Sequence, residues 1–415
     1  AKIYEQRFKL LKKAYKRAKI STDKDFAAFV KENAGWLPDY ALFMALKDAH
    51  KGESWEHWEK GLRFREKDAI EKAVKAYAED IEFYEFLQYE FTLEWKKLKE
   101  YANKKGIEIV GDIPIYVAFD SSDAWAAPGL FEFDEDMKPV AVAGCPPDAF
   151  SADGQLWGNP LYKWEVHKKD GYKWWMRRLK HCFDIYDVVR IDHFRGFDAF
   201  YRIPYPAENA RKGKWVKGPG YELFDTMKKK LGEKQVIAED LGFLTPSVLK
   251  LVKRTGYPGM KVLQFAFDPR EESDYLPHNY IKNSVVYTGT HDNDTTLSWY
   301  YDISATDRKF ASEYLDIPKD VKDAELPWYF IRGAFSSVAD TAVIPMQDIL
   351  SLPHAARMNH PSTIGGNWEW RMKAGAFNKT KQKKLLKMTE LYGRVPKEAK
   401  KEEKAKTVKT SKNKK

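Results

Sequence analysis

Apolar residues recur at i, i+3 and i+7 in YEQRFKLLKKAYKRAK, at Phe8, Leu11 and Tyr15, the spacing of a single buried helical stripe. The segment from Asp68 to Lys105 is similarly amphipathic and stops at Gly106, so residues 1–105 are expected to form a helical subdomain. The period then changes. IEIVGDIPIYV (Ile107 to Val117) is short and β-branched, and reads as a strand running into a loop. Five more apolar runs follow, IYDVVRID, QVIAED, MKVLQFAF, SVVYTGTHD and TAVIPMQDIL, with helical stretches such as SVLKLVKRTG between them. Near-continuous apolar strands alternating with helices predict a parallel sheet covered on both faces, as an open doubly wound sheet or a barrel.

The strand ends favour the barrel. Asp112 ends IEIVGD, Asp192 ends VVRID, Glu239 ends VIAE and Asp292 follows VVYTGTH. Helix capping would account for one such acid, but acids after four strands match the catalytic face of a (β/α)₈ barrel, where all C-terminal strand ends converge. A dinucleotide-binding sheet would show a glycine-rich first turn, and no GxGxxG or GxxxxGK[ST] follows any of these runs.

The run VVRIDHFRGF is densely charged for a buried strand. Side chains alternate along a strand, so Arg190 and Asp192 are expected on one side, facing the barrel mouth. A guanidinium beside a carboxylate favours the ionised form, whereas the apolar strand VIAE is expected to raise the Glu239 pKa by desolvation. An ionised carboxylate paired with a protonated one is what retaining glycoside chemistry requires: one attacks the anomeric carbon, the other protonates the leaving oxygen. Asp292, preceded by His291, is suited to holding sugar hydroxyls.

Composition narrows the field further. With 415 residues, 43% of them hydrophobic, the chain can fill a large core. It has no run of about 18 apolar residues and no signal-peptide pattern at AKIYEQRFKLLKK, so neither a membrane nor a secretory role is indicated. Cys145 and Cys182 lie far apart without metal-ligand spacing, and are expected to be buried thiols in a reducing compartment. Of the net charge of +10, nine Lys against three Glu between Lys397 and Lys415 supply +6. The basicity is therefore mostly a Lys-rich tail over residues 394–415, expected to be disordered, and no nucleic-acid partner is expected. The 14 Trp and 23 Tyr suit stacking on sugar rings as well as core packing.

The set GDIPIYV, GQLWGNPLYKW, VVRIDHFRGF, IAEDLG, GMKVLQFAFD, VVYTGTHDNDTT and RMNHPSTIGGNW resembles the 4-alpha-glucanotransferases called amylomaltases or disproportionating enzymes, of the α-amylase clan. The resemblance runs in order to about residue 393. It implies a TIM (β/α)₈-type barrel with helical insertions, here entered at the helical insertion before the third strand, so that the first two strands are lacking. Residues 106–393 would then hold strands three to eight, with an inserted loop subdomain at about 115–178. By the same resemblance Asp192 is the nucleophile, Glu239 the general acid/base and Asp292 the transition-state stabiliser. Arg190 and His291 support them, and Asp112 and His193 complete the inner shell. Phe150, Gln155 and Trp157 in one loop, and Asn359 and Pro361 in another, lie over the donor sugar.

The activity implied is transfer of α-1,4-glucan segments between maltooligosaccharides or starch- and glycogen-type glucans, donor and acceptor both being glucans. No metal and no organic cofactor is expected, and the setting expected is cytoplasmic or plastidial. Two alternatives stay open on sequence: an α-glucan hydrolase of the same clan, and a catalytically silent glucan-binding fragment, since six strands are counted where closure needs eight.

Overall fold

The computed structural model describes residues 2–147, 151–242, 244–361 and 363–396, without the side chains of Lys2 and Tyr4. Of the tail expected to be disordered over 394–415, Arg394 is instead docked, donating through Nε to the Phe335 carbonyl and through Nη1 to the Ala339 carbonyl, both at 3.0 Å. From Lys397 onward the tail lies outside the described residues, as does Phe150. The chain divides into two compact units, Ala1–Gly256 and Tyr257–Lys415.

The first unit opens with the expected helices, among them Lys2–Ala18, Lys24–Glu32, Leu37–Ala49, Lys67–Ala76 and Ala78–Lys104. Their shared core is aromatic: Tyr15, Phe26, Phe83, Tyr84, Phe86 and Tyr89 are buried together, and Phe8 packs on Phe83 and Tyr84 at ring distances of 6.2 and 6.3 Å. Leu11 departs from the expected stripe. It is 38% exposed, because the buried face of this helix is narrow enough to admit Phe8 and Tyr15, two turns apart, but not the residue between them. The stop at Gly106 holds: with φ of +71° its N–H reaches the Asn103 carbonyl and that of Ile107 reaches Ala102, closing the helix end.

Among the described residues of this unit seven strands follow: β1 (Val110–Ile113), β2 (Ala141–Cys145), β3 (Gln155–Pro160), β4 (Val188–Ile191), β5 (Ala199–Pro204), β6 (Lys214–Lys217) and β7 (Val236–Ala238). β4 lies between β1 and β7, all parallel, with Asp112 opposite Arg190 and Ile191 opposite Ala238. Their packing is close: a Cβ on Gly111 would meet the Tyr186 ring at 2.0 Å, so only glycine fits there. β2, β3, β5 and β6 form a separate antiparallel sheet in the order β3-β2-β5-β6. The loop region expected at 115–178 therefore completes its sheet with strands from beyond Ile185. Much of the aromatic surplus is core: Trp55, Trp125, Trp175 and Tyr162 are at most 1% exposed.

The second unit holds β8 (Gly259–Val262), β9 (Ser284–Tyr287) and β10 (Thr341–Val343), parallel and in that order. MKVLQFAF is strand only to Val262, and Leu263–Phe265 turns into a short 3₁₀ helix. The helix Leu326–Ser336 is almost wholly buried and centres a core with Leu263, Phe267, Val286 and Tyr300. No described helix is long and apolar enough to cross a membrane. Cys145 and Cys182 are thiols, half-buried rather than buried.

Candidate active site

In the first unit the three parallel strands bring three acids to one end. Asp112 sits within β1, and Asp192 and Glu239 each stand one residue past their strands. The ladder runs on beyond the strands: Asp192 N–H donates to the Ile113 carbonyl at 3.0 Å, Glu239 N–H to Ile191 at 3.1 Å and Phe194 N–H to Glu239 at 3.0 Å. Backbone pairing thus fixes both Asp192 and Glu239.

Arg190 and Asp192 share a side, as their spacing predicts. Arg190 Nη1 lies 2.9 Å from Asp192 Oδ1 and 2.7 Å from both oxygens of Asp112. Burial works against this cation, yet the two carboxylates outweigh it, so the guanidinium holds its proton more firmly than usual. Side-chain exposure is 9% for Arg190 but 39% for Asp192, so the base of the pair is fixed while the carboxylate stays open to substrate.

Glu239 is differently placed. It is buried, with Oε2 accepting from the His193 N–H at 2.7 Å and Oε1 from the Leu241 N–H at 2.8 Å. Burial raises its pKa to about 7, helped by the Asp192 charge and opposed by Arg190 and the two backbone donors. The two acids are thereby driven to different tasks near neutral pH, with Glu239 able to carry a proton.

That raised value has a consequence for stability. The folded protein keeps the Glu239 proton up to about pH 7, whereas the unfolded chain releases it near the ordinary 4.5. Stability contributed by this group is therefore lost as pH rises from 4.5 to 7. Glu239→Gln, which has nothing to ionise, is expected to be more stable than the parent at pH 8 by on the order of 3 kcal/mol, with the gap closing below pH 4.5. Chemical denaturation of both proteins at the two pH values measures it, and an unchanged gap would refute the assignment.

His193 has left-handed backbone at φ of +50°, which turns the chain just past Asp192. Burial drives its imidazole pKa down to about 3, so it is neutral, and its buried Nε2 has no hydrogen-bond partner among the described residues. Trp157 meets its ring edge-on at 4.8 Å and is itself held by Gln155, whose Oε1 accepts from the indole N–H at 3.0 Å. Tyr116 lies 6.3 Å from the Trp157 ring. The partly exposed Trp157 ring offers an aromatic face on which a sugar ring can stack.

In the second unit Asp292 lies in the loop after β9, not at the strand end itself. Its Oδ2 is 3.4 Å from His291 Nε2, and its Oδ1 accepts from Asn359 Nδ2 at 2.6 Å. Arg357, which the strand-end pattern does not single out, donates through Nη2 to the Asp292 carbonyl at 2.7 Å and through Nε to the Asn359 carbonyl at 2.9 Å. Trp368, also outside that pattern, has its ring 5.1 Å from His291. They are the first and last residues of RMNHPSTIGGNW, so the motif itself was the available signal. Pro361 sits in an exposed turn. Among the described residues no group of three or more His, Cys, Asp or Glu is arranged to hold a metal ion.

Comparison with known proteins places this geometry. The family described as 4-alpha-glucanotransferase matches residues 1–378. The chain is 47% identical over 394 residues to the 4-alpha-glucanotransferase of Clostridium butyricum, covering 94% of this chain and 80% of that one. It is 49% identical over 399 residues to the 4-alpha-glucanotransferase of Streptococcus pneumoniae (TIGR4), covering 95% and 78%. The solved amylomaltase from Streptococcus agalactiae in complex with acarbose superposes with a TM-score of 0.90 at 38% identity, covering 95% of this chain and 79% of that one. With the parallel strands and covering helices, that likeness makes the fold of TIM-barrel type with helical insertions.

Proposed function

Because the chain belongs to the 4-alpha-glucanotransferase family, which acts on α-1,4-glucans, we propose a division of labour among its residues for moving glucan segments from one chain to another. The observation that carries it is the contrast between Asp192, open and held by Arg190, and Glu239, buried with a pKa near 7.

Asp192 Oδ attacks the donor's anomeric carbon as the bond to the departing 4-oxygen breaks, and the Glu239 proton passes to that oxygen. A covalent glycosyl-enzyme of inverted configuration results. Glu239, now ionised, takes the proton of the acceptor's 4-hydroxyl, whose oxygen attacks the same carbon and releases Asp192. Two inversions restore the α linkage. Asp292, oriented by Asn359 and flanked by His291, is assigned to the donor's hydroxyls as positive charge builds at the ring. Trp157, packed edge-on against the His193 ring, lines the sugar's approach. Asp112 occupies two of the contacts of Arg190 and keeps that guanidinium in register with Asp192.

Donor and acceptor are both maltooligosaccharides or longer α-1,4-glucans in this reading. The half-buried thiols Cys145 and Cys182 support a reducing compartment, the cytoplasm or a plastid, as the setting. Incubation with maltotriose tests the reading: a ladder of longer maltooligosaccharides together with glucose is expected. Short products alone would mean a hydrolase, and unchanged maltotriose a binding protein.

A further inference from the structure

A buried carboxylate in the second unit takes no part in the chemistry above. Asp348 follows β10 in the helical turn Met346–Ile349 and is 1% exposed. Its Oδ2 accepts from the hydroxyls of Thr288 at 2.5 Å and Thr296 at 2.7 Å, and its Oδ1 accepts from the Thr296 N–H at 2.9 Å. Both threonines are fully buried. Burial raises the carboxyl's pKa while these donors pull it down.

The position of the two threonines gives the cluster its meaning. Thr288 comes directly after β9 and Thr296 opens the helix Thr296–Asp302. They are the two ends of the segment that carries His291 and Asp292, and one carboxylate ties both. A buried acid is costly to keep unless its oxygens are satisfied, and bonds to an ionised acceptor are the strong ones. The segment's interior is braced as well: Asn293 Oδ1 accepts from Thr290 N–H and Oγ1 at 2.9 and 2.8 Å, and Gln264 Nε2 donates to the Asp294 carbonyl at 2.9 Å. Arg357 and Asn359 then hold Asp292 from the segment that follows Asp348.

We propose that Asp348 is a positioning residue for glucan transfer: by clamping Thr288 and Thr296 it fixes the loop between them, and so sets where Asp292 meets the donor sugar. The proposal rests on the reading of Asp292 as the group that holds that sugar. A displacement of about 1 Å at such a group costs on the order of 10²-fold in rate.

The test is a double-mutant cycle on the full chain, with melts recorded for every variant. Asp348→Asn keeps the shape but turns one acceptor into a donor, so both hydroxyls must reverse to accept from the amide, their own protons lose the carboxylate, and charge-assisted bonds give way to weaker neutral ones. Its kcat on maltotriose is expected to fall by about 10- to 100-fold with KM little changed. Thr288→Val, which removes one hydroxyl without changing volume much, is expected to lower kcat by about 3- to 10-fold, and it decides the matter if Asp348→Asn does not fold. In an Asp292→Asn background the same changes should lower the residual rate by less than about twofold, because the group they position is already disabled. Equal factors in both backgrounds, or unchanged kcat in both single variants, would overturn the proposal. Near-normal activity of Asp292→Asn alone would instead overturn the role given to Asp292.

Discussion

Asp192→Asn is expected to stop transfer, lowering kcat on maltotriose on the order of 10⁴-fold or more, with a folded protein of nearly unchanged melting temperature. The amide keeps the shape of the side chain but has no anionic oxygen to attack the anomeric carbon. Folding is spared because Arg190 retains both oxygens of Asp112 at 2.7 Å, so no buried cation is stranded. The substitution also removes a charge that helps raise the Glu239 pKa, which should therefore fall below its value of about 7. Two readings check this: trapping of a glycosyl-enzyme by mass spectrometry, absent in the variant, and the pH dependence of stability, shifted to lower pH. Near-normal turnover would end the assignment of Asp192 as nucleophile.

Glu239→Gln separates the proton from the attack. On maltotriose, whose sugar leaving group must be protonated, kcat/KM is expected to fall by about 10²- to 10⁴-fold. With an α-glucosyl fluoride donor, fluoride departs unaided and the first step should run near the parent rate. The glycosyl-enzyme should then accumulate, since no base remains to activate the acceptor. In the parent, kcat/KM on maltotriose should decline about tenfold per unit above pH 7, because the protonated form is the active one and its fraction shrinks as pH passes the Glu239 pKa. The fluoride donor should lack that limb in its first step. Equal loss with both donors would assign Glu239 another role.

Much of this site is legible in the amino-acid sequence, and the residues show why. Arg190 and Asp192 are two positions apart on a strand, and alternation alone puts them on one side. Glu239 ends an apolar run, VIAE, and burial of that run is enough to lift its pKa. The helix stop at Gly106 and the helix SVLKLVKRTG, observed as Pro246–Thr255, are likewise local signals. Asp348 is the informative miss. It lies near the end of TAVIPMQDIL much as Asp192 and Glu239 end their runs, so the same rule of acids after strands points to it, but nothing nearby in sequence reveals that its partners are threonines rather than substrate.

The sequence by itself determined what neighbouring residues encode: strand and helix periods, the order of parallel strands and helices, the family, and which acids stand at strand ends. Tertiary structure decided the partners. Arg190 reaches Asp112 across 78 residues, Glu239 takes the N–H of His193 across 46, Asn359 reaches Asp292 across 67 and Asp348 reaches Thr288 across 60. The pairing of β2 and β3 with β5 and β6, the burial of Trp175 and the exposure of Leu11 belong to the same class. A period is written into adjacent side chains, whereas a hydrogen bond between distant residues exists only where the folded chain returns, and that return is set by the packing of the whole core rather than by any short segment.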